Sequence, residues 1–144
     1  MSITKATLHD LSGIEILNKK YFKEIRDFKK IIKEKDNLFF VAKEDKKIIG
    51  FGGIHIFHWN NTARIIDIFI HPKYRGKGFG NKMILKIKKE SKILRVRTII
   101  AEAPSLNSVL IVYLKNDFRI CGFNDRYYSN DGKEIAIFLS YDIK

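Results

Sequence analysis

Cysteine and long apolar runs are scarce in this sequence, and their scarcity excludes several classes of protein. The single cysteine, Cys121, cannot form an internal disulfide, and it cannot build a metal site from cysteine pairs. No apolar run approaches the ~20 residues that a membrane-spanning helix requires. The opening residues MSITKATLHD lack the apolar stretch of a signal peptide. We therefore expect a cytoplasmic protein that holds no metal and binds no membrane.

Proline and low-complexity sequence are rare as well. Pro72 and Pro104 are the only prolines, and no linker or internal repeat divides the 144 residues. Hydrophobic residues make up 45% of the chain, which is enough to build a core. Residues 1–144 are thus predicted to form one domain.

Acidic residues are few relative to basic ones. The 16 Asp and Glu residues stand against 28 Lys and Arg residues, and the net charge is +12. Such a surplus attracts anions, which include nucleic acid, an acidic protein and a small polyphosphate such as coenzyme A. The lysines are spread along the chain, however, as they also are in proteins from lysine-rich proteomes. Charge alone does not choose between these interpretations.

The hydrophobic pattern predicts an α+β domain. Apolar residues at helical spacing indicate four helices, and runs of β-branched and aromatic residues indicate long strands joined by hairpins. Repeated strand–helix–strand units, which a dinucleotide-binding domain needs, are missing. The predicted helices are Leu8–Asn18 with Asp10 as its cap, Tyr21–Lys35, Gly78–Ser91 and Leu106–Asn116. The predicted strands are Ile3–Thr7, Leu38–Ala42, Lys47–His58, Ala63–Ile70, Val96–Ala103, Phe118–Tyr128 and Lys133–Ile143, with tight turns at Asn60-Asn61 and Asn130-Asp131-Gly132.

The most informative segment is the glycine loop, Arg75–Gly80, which joins a strand to a helix. Gly76, Gly78 and Gly80 carry no Cβ, so backbone N–H groups can turn towards a ligand and approach it closely. The helix start adds unpaired N–H groups and a partial positive charge. Such a place binds phosphate, and the side chains of Lys73, Arg75 and Lys77 add full positive charges. A glycine-rich turn without a ligand is the alternative.

The glycine spacing separates this loop from two other phosphate binders. A Walker A loop has two glycines five residues apart followed by Lys and Ser or Thr, and that pattern is absent. The dinucleotide fingerprint needs a glycine where Asn81 stands. The pattern Arg-x-x-Gly-x-Gly after a strand and Pro-x-Tyr resembles the pyrophosphate loop of the GNAT acetyltransferase superfamily.

This resemblance extends over nearly the whole chain. RIIDIFIHPKYRGKGFG is similar to the central strand and loop of the superfamily, and Tyr113–Phe118 resembles its second signature, with Asp117 in place of the usual glycine. The resemblance implies a mixed, mostly antiparallel sheet of about seven strands flanked by about four helices. It also implies an N-acetyltransferase that uses acetyl-CoA and acts as a monomer or homodimer, akin to ribosomal-protein alanine and polyamine acetyltransferases.

The resemblance further assigns the acetyl-CoA site. Ile68, Phe69 and Ile70 on the central strand would hold the pantetheine arm and the oxyanion through backbone groups. The residues expected to hold the pyrophosphate are Arg75, Gly76, Lys77, Gly78, Phe79, Gly80 and Asn81. Asn107 resembles the asparagine that bonds the pantetheine arm, although it lies one residue closer to Tyr113 than is usual. Tyr113 stands where the family places the proton donor to the leaving thiolate, and packing between helix and sheet is its alternative role.

Transfer to an amine needs a neutral nucleophile. A lysine-like amine, with a pKa of about 10.4, is neutral in only about one molecule in a thousand at pH 7, and a carboxylate can remove its proton. Glu102 lies five residues before Asn107. This spacing resembles that of the base in the ribosomal-protein alanine acetyltransferase subgroup. Asp67 is the second candidate, next to Ile66, which stands where polyamine acetyltransferases keep a glutamate. An ion pair with Arg64, Arg95 or Arg97 is the alternative for either carboxylate.

Two functions from different classes remain at this point. The first is an acetyltransferase whose acceptor is a protein N-terminus, a lysine or a small amine. Family acceptor sites correspond to Tyr21–Lys35 and Asn124–Lys133, the latter containing Asp125, Tyr127, Tyr128 and Asp131. The second is a basic module that binds RNA or an acidic protein and has a non-catalytic CoA site, although no RNA-binding signature is present. His55, His58 and His71 lack metal-ligand spacing and are predicted to be surface or turn residues.

Overall fold

The computed structural model describes residues 1–144 and confirms the α+β fold, with seven strands and four helices. The strands are β1 (Ser2–Lys5), β2 (Asn37–Glu44), β3 (Lys47–Phe57), β4 (Thr62–Ile70), β5 (Thr98–Pro104), β6 (Arg119–Asn124) and β7 (Ala136–Asp142). The helices are α1 (Leu11–Tyr21), α2 (Phe28–Lys33), α3 (Phe79–Ile93) and α4 (Val109–Lys115), and two short 3₁₀ turns cover Leu8–Asp10 and Pro72–Tyr74.

The strands form one mixed sheet in the order β1-β2-β3-β4-β5-β7-β6. The pairs β1–β2, β2–β3, β5–β7 and β6–β7 are antiparallel, whereas β4 and β5 run parallel. Chain contacts divide the molecule into two compact units. The first unit comprises Met1–His55 and Ile66–Ile87, and the second comprises Ile56–Ile65 and Lys88–Lys144.

An aromatic cluster forms the core of the first unit. Phe51 on β3 lies between Phe28, Phe39 and Phe69, with ring centroids 5.4 to 5.9 Å apart. Phe28, Phe39 and Phe51 are at most 3% exposed. Offset and edge-to-face ring pairs stabilise such a core beyond the burial of apolar area. The cluster therefore fixes the end of β4, which leads into the glycine loop.

The predicted helix Tyr21–Lys35 is wrong over its first half. Tyr21 ends α1, the backbone at Phe22 is extended, and helix resumes only at Phe28. Side-chain to backbone bonds replace helical ones here. Asn18 donates through Nδ2 to the Glu24 carbonyl at 2.9 Å, and the Asp27 carboxylate accepts the Lys30 N–H as the cap of α2.

Several predicted boundaries also differ from the observed ones. The Asp10 carboxylate does not cap α1; it accepts the Thr7 N–H at 2.9 Å and pairs with Lys43. The predicted two-residue turn at Asn60-Asn61 is a four-residue connection between Phe57 and Thr62. Eleven residues separate the end of β6 from the start of β7, so the Asn130–Gly132 turn lies inside a longer loop. Helix α4 and strand β5 are shorter than predicted.

Candidate active site

The glycine loop is anchored to the end of β4. Phe69 and Ile70 are both 7% exposed, and the His71 N–H donates to the Ile49 carbonyl on β3 at 2.7 Å. Arg75 folds back towards the strand, because its Nε donates to the Ile70 carbonyl at 2.8 Å. Its guanidinium also lies 5.6 Å from the centre of the Phe69 ring. Arg75 is thus held by the strand that precedes it.

Gly76 and Gly78 have backbone conformations that favour glycine. Their φ angles are +76° and +88°, which lie in the region that L side chains rarely adopt. A Cβ added to either residue would meet no atom within 4 Å. Glycine is therefore required by the backbone and not by crowding, and open space adjoins both residues.

Helix α3 begins immediately after these two glycines. Phe79 is 3% exposed and anchors the first turn, and the Lys82 N–H donates to the Gly78 carbonyl at 3.0 Å. The first N–H groups of a helix have no acceptor within it, and they carry a partial positive charge. With exposed Lys77 beside them, these residues fit a diphosphate. Gly80 and Asn81 lie in this first turn.

Asp67 on β4 forms an ion pair with Arg26, which was not among its predicted partners. Arg26 donates to Asp67 through Nη1 to Oδ1 at 2.8 Å and through Nη2 to Oδ2. The two side chains are only 17% and 12% exposed. Burial raises the pKa of Asp67, and the Arg26 guanidinium opposes that rise. Arg26 thus engages both carboxylate oxygens of Asp67.

Glu102 on β5 lies in the second unit and has two hydrogen-bonding neighbours there. Its Oε1 accepts from the Tyr127 hydroxyl at 2.8 Å and from Arg64 Nη2. This bond to Glu102 raises the pKa of Tyr127, and burial together with the Glu102 charge raises the pKa of Tyr128 to about 12. A cavity of about 300 Å³ adjoins Glu102 and is lined by Arg64, Ile100, Ala101, Cys121, Phe138 and Leu139. Arg64 is one of the three arginines predicted as ion-pair partners.

Tyr113 and Asn107 belong to α4 and its approach. Tyr113 is 3% exposed, and its ring packs against Phe118 at 5.2 Å. Asn107 lies two residues before α4, where its Oδ1 accepts the Val109 N–H at 2.9 Å. Asp117 follows α4 with a φ of +67°. Glycine adopts such a left-handed conformation more readily than aspartate does.

The predicted site residues thus fall into two groups. One group, in the first unit, comprises Asp67, Ile68, Phe69, Ile70 and Arg75–Asn81; the other, in the second unit, comprises Glu102, Asn107 and Tyr113. Sequence reasoning missed Arg26 and the bond from Tyr127 to Glu102. These pairs are separated by 41 and 25 residues, so no local spacing signals them.

Two further kinds of site are absent from the structure. No group of three or more His, Cys, Asp or Glu side chains is arranged to hold a metal ion. None of the helices has both the length and the apolar character needed to span a bilayer.

Comparison with known proteins supplies the family. The model of the acetyltransferase (GNAT) family matches residues 6–118. No curated protein matches the chain significantly by sequence.

Solved structures support the same fold. Ribosomal-protein-S18-alanine N-acetyltransferase from Escherichia coli is 20% identical with a TM-score of 0.84, over 99% of this chain and 94% of that one. A candidate streptothricin acetyltransferase from Bacillus anthracis, solved with acetyl coenzyme A, is 29% identical with a TM-score of 0.75, over 86% and 72%. A chimeric spermidine N-acetyltransferase from Vibrio cholerae is 20% identical with a TM-score of 0.83, over 99% and 96%.

Proposed function

Because the chain belongs to the acetyltransferase (GNAT) family, we propose that it transfers the acetyl group of acetyl-CoA to a primary amine by direct attack in a ternary complex. The glycine loop carries this proposal. Its two left-handed glycines border open space at the start of a helix, beside Arg75 and Lys77. Backbone N–H groups and cationic side chains in this arrangement suit a diphosphate.

The proposed reaction forms one bond and breaks another. The amine nitrogen attacks the thioester carbonyl carbon, a C–N bond forms, and the C–S bond then breaks with the electron pair leaving on sulfur. Bound acetyl-CoA supplies the activated acyl group. Backbone N–H groups of Ile68, Phe69 or Ile70 would stabilise the oxyanion, and Tyr113 would donate a proton to the thiolate. Asn107 would hold the pantetheine arm.

Glu102 is the preferred base in this proposal. Its two neighbours both contact Oε1, which leaves Oε2 for the amine or for a bridging water. Asp67 is the weaker candidate, because Arg26 engages both of its oxygens. A carboxylate that removes the proton of the ammonium group generates the neutral amine, which can then attack the thioester.

The acceptor is a primary amine whose class the family does not decide. Acetyltransferases of similar fold are named for a ribosomal-protein alanine, for streptothricin and for spermidine. We propose Asn124–Lys133 as part of the acceptor site, because Tyr127 in this segment contacts Glu102. The exposed fractions of Tyr127 and Tyr128 are 43% and 42%, so both rings are accessible to a substrate.

Two measurements test the proposal. Titration calorimetry measures acetyl-CoA binding, and thiol detection measures CoA release with a panel of N-terminal peptides, lysine peptides, polyamines and small amines. We expect acetyl-CoA to bind and at least one amine class to release CoA. A protein that binds RNA or acidic peptides while failing to bind acetyl-CoA would instead support the basic binding module, for which the net charge of +12 is the argument.

A further inference from the structure

The glycine loop is exposed, and the short turn that precedes it is capped by His71. Residues Arg75–Gly78 are all exposed. The turn before them is Pro72–Tyr74, and His71 is its N-cap residue. The backbone carbonyl of His71 accepts the Tyr74 N–H at 2.8 Å. The His71 side chain caps the same turn, because its Nδ1 accepts the Lys73 N–H at 3.1 Å.

The His71 ring is also held from helix α1. Its Nε2 lies 3.0 Å from the Tyr21 hydroxyl, and the two rings meet edge to face with centroids 5.3 Å apart. Since Nδ1 accepts a hydrogen bond, the neutral ring carries its proton on Nε2 and donates it to Tyr21. On its other side the ring meets Tyr74 edge to face at 5.6 Å. The imidazole therefore connects α1 to the turn that leads into the glycine loop.

We propose that His71 is a positioning residue for acetyl-CoA binding: its neutral imidazole, oriented by Tyr21, caps the Pro72–Tyr74 turn and so sets the position of Arg75 and the loop glycines. The inference rests on the proposed function, because it assumes that the glycine loop binds acetyl-CoA. It assigns no chemistry to His71, which neither contacts the ligand nor moves a proton in the reaction.

Protonation should disrupt this arrangement. The charged ring has N–H groups at both nitrogens, so Nδ1 can no longer accept from Lys73. Burial and the positive charges of Lys20 on α1, Lys47 on β3, Lys73 in the turn and Arg75 in the glycine loop lower the pKa of His71 below its ordinary value of 6.5. A lowered pKa favours the neutral ring in the folded protein. The cap is therefore complete above pH 6.5 and is lost as the pH falls through the lowered pKa.

Two substitutions of His71 distinguish the role of Nδ1 from that of Nε2. His71→Asn places an amide oxygen near the position of Nδ1, so it can still cap the turn, but it cannot reach Tyr21. His71→Gln has a longer side chain that can reach Tyr21 and loses the cap. At about pH 8 we expect His71→Asn to retain most of the wild-type affinity for acetyl-CoA. His71→Gln should bind about fivefold more weakly, within the range typical of a lost cap.

A pH series distinguishes positioning from a general loss of structure. The phosphate monoester of acetyl-CoA itself titrates, with a second pKa of about 6, and weakens binding in every variant as pH falls. As the pH falls from about 8 to about 5, wild-type affinity should fall further than that of His71→Asn, which has no ring to protonate, and by at most the roughly fivefold factor of a lost cap. Tyr21→Phe should weaken binding about twofold in the wild type and not in His71→Asn, because only histidine reaches the hydroxyl.

The possible results separate the two proposals. Failure of the wild-type protein to bind acetyl-CoA at about pH 8 overturns the proposed function and this inference with it. Binding by the wild type with equal affinities for His71→Asn and His71→Gln, or with parallel pH profiles for wild type and His71→Asn, overturns the inference alone. Nitrogen chemical shifts of His71 give a direct check that does not depend on the ligand, since they must report a neutral ring protonated on Nε2.

Discussion

Replacing Gly78 by valine separates binding of the cofactor from stability of the fold. A Cβ at Gly78 would meet no atom of the protein within 4 Å, so the substitution introduces no steric clash in the folded chain. Its cost is the backbone conformation, since φ is +88°. A bulky residue held in such a conformation costs about 1–3 kcal/mol, against a free energy of unfolding of about 5–15 kcal/mol for an ordinary domain. The variant should fold, with a melting temperature lowered by about 5 °C.

The substitution should also weaken acetyl-CoA binding, for a reason separate from this loss of stability. The valine side chain occupies the open space beside the loop, where a phosphate would approach the backbone N–H groups. Loss of one hydrogen bond to a charged group costs about 1.5–3 kcal/mol, which is about 10- to 100-fold in Kd. Titration calorimetry measures this change, and thermal unfolding confirms that the variant is folded.

Gly132→Val is the matched control for backbone strain. Gly132 has a φ of +69° in the connection between β6 and β7, where an added Cβ meets the end of the flexible Arg126 side chain. We expect a comparable loss of stability with unchanged acetyl-CoA affinity. Wild-type affinity in folded Gly78→Val, or equal losses of affinity in both variants, would refute the assignment of the loop as a phosphate site.

Other substitutions test the remaining assignments. Glu102→Gln should lower turnover by about 10²–10⁴, whereas unchanged turnover would exclude Glu102 as the base. Asp67→Asn leaves Arg26 without its partner and should lower the free energy of unfolding in urea by about 3 kcal/mol; a fully stable but inactive variant would favour Asp67 as the base instead. Tyr113→Phe keeps the ring contact with Phe118 and should reduce turnover about 10²-fold with acetyl-CoA affinity intact, and equal activity would leave Tyr113 a packing residue. Asp117→Gly relieves a left-handed residue and should raise the free energy of unfolding by about 0.5–1 kcal/mol, with Asp117→Asn as the control for charge; no gain over Asp117→Asn would contradict this.

The sequence pattern predicted those strands and helices in which apolar residues recur with the period of the element. Strands β2, β3 and β4 and helix α3 begin and end within two residues of their predicted bounds, because most of their apolar residues are buried. The predicted helix Tyr21–Lys35 rested on the same spacing but failed at Ile25, which is 98% exposed. There the apolar spacing did not reflect burial. The Asn18 and Asp27 side chains, which bond to the backbone, ended one helix and began the next.

The site was predictable to the extent that it depends on local backbone. Gly76 and Gly78 were identified from spacing, and their positive φ angles supply the physical reason. The partners of the two candidate carboxylates were harder to predict. Arg64 was one of three arginines proposed for them, and the pairing of Arg26 with Asp67 depends on the irregular segment after α1 that the sequence pattern assigned to a helix. Contacts that depend on a misassigned segment cannot be recovered from local spacing.

The anchoring of Arg75 to the Ile70 carbonyl has a consequence for how the loop tolerates change. A free arginine side chain has about 2 kcal/mol of rotamer entropy, and the bond through Nε restricts those rotamers before any ligand arrives. Less conformational entropy is then lost on binding, so an anion meets an ordered surface. Lysine has no equivalent of Nε, so it cannot hold the Ile70 carbonyl and present a cation at the same time. Exchange of Arg75 for lysine therefore conserves the charge of the loop and removes its order.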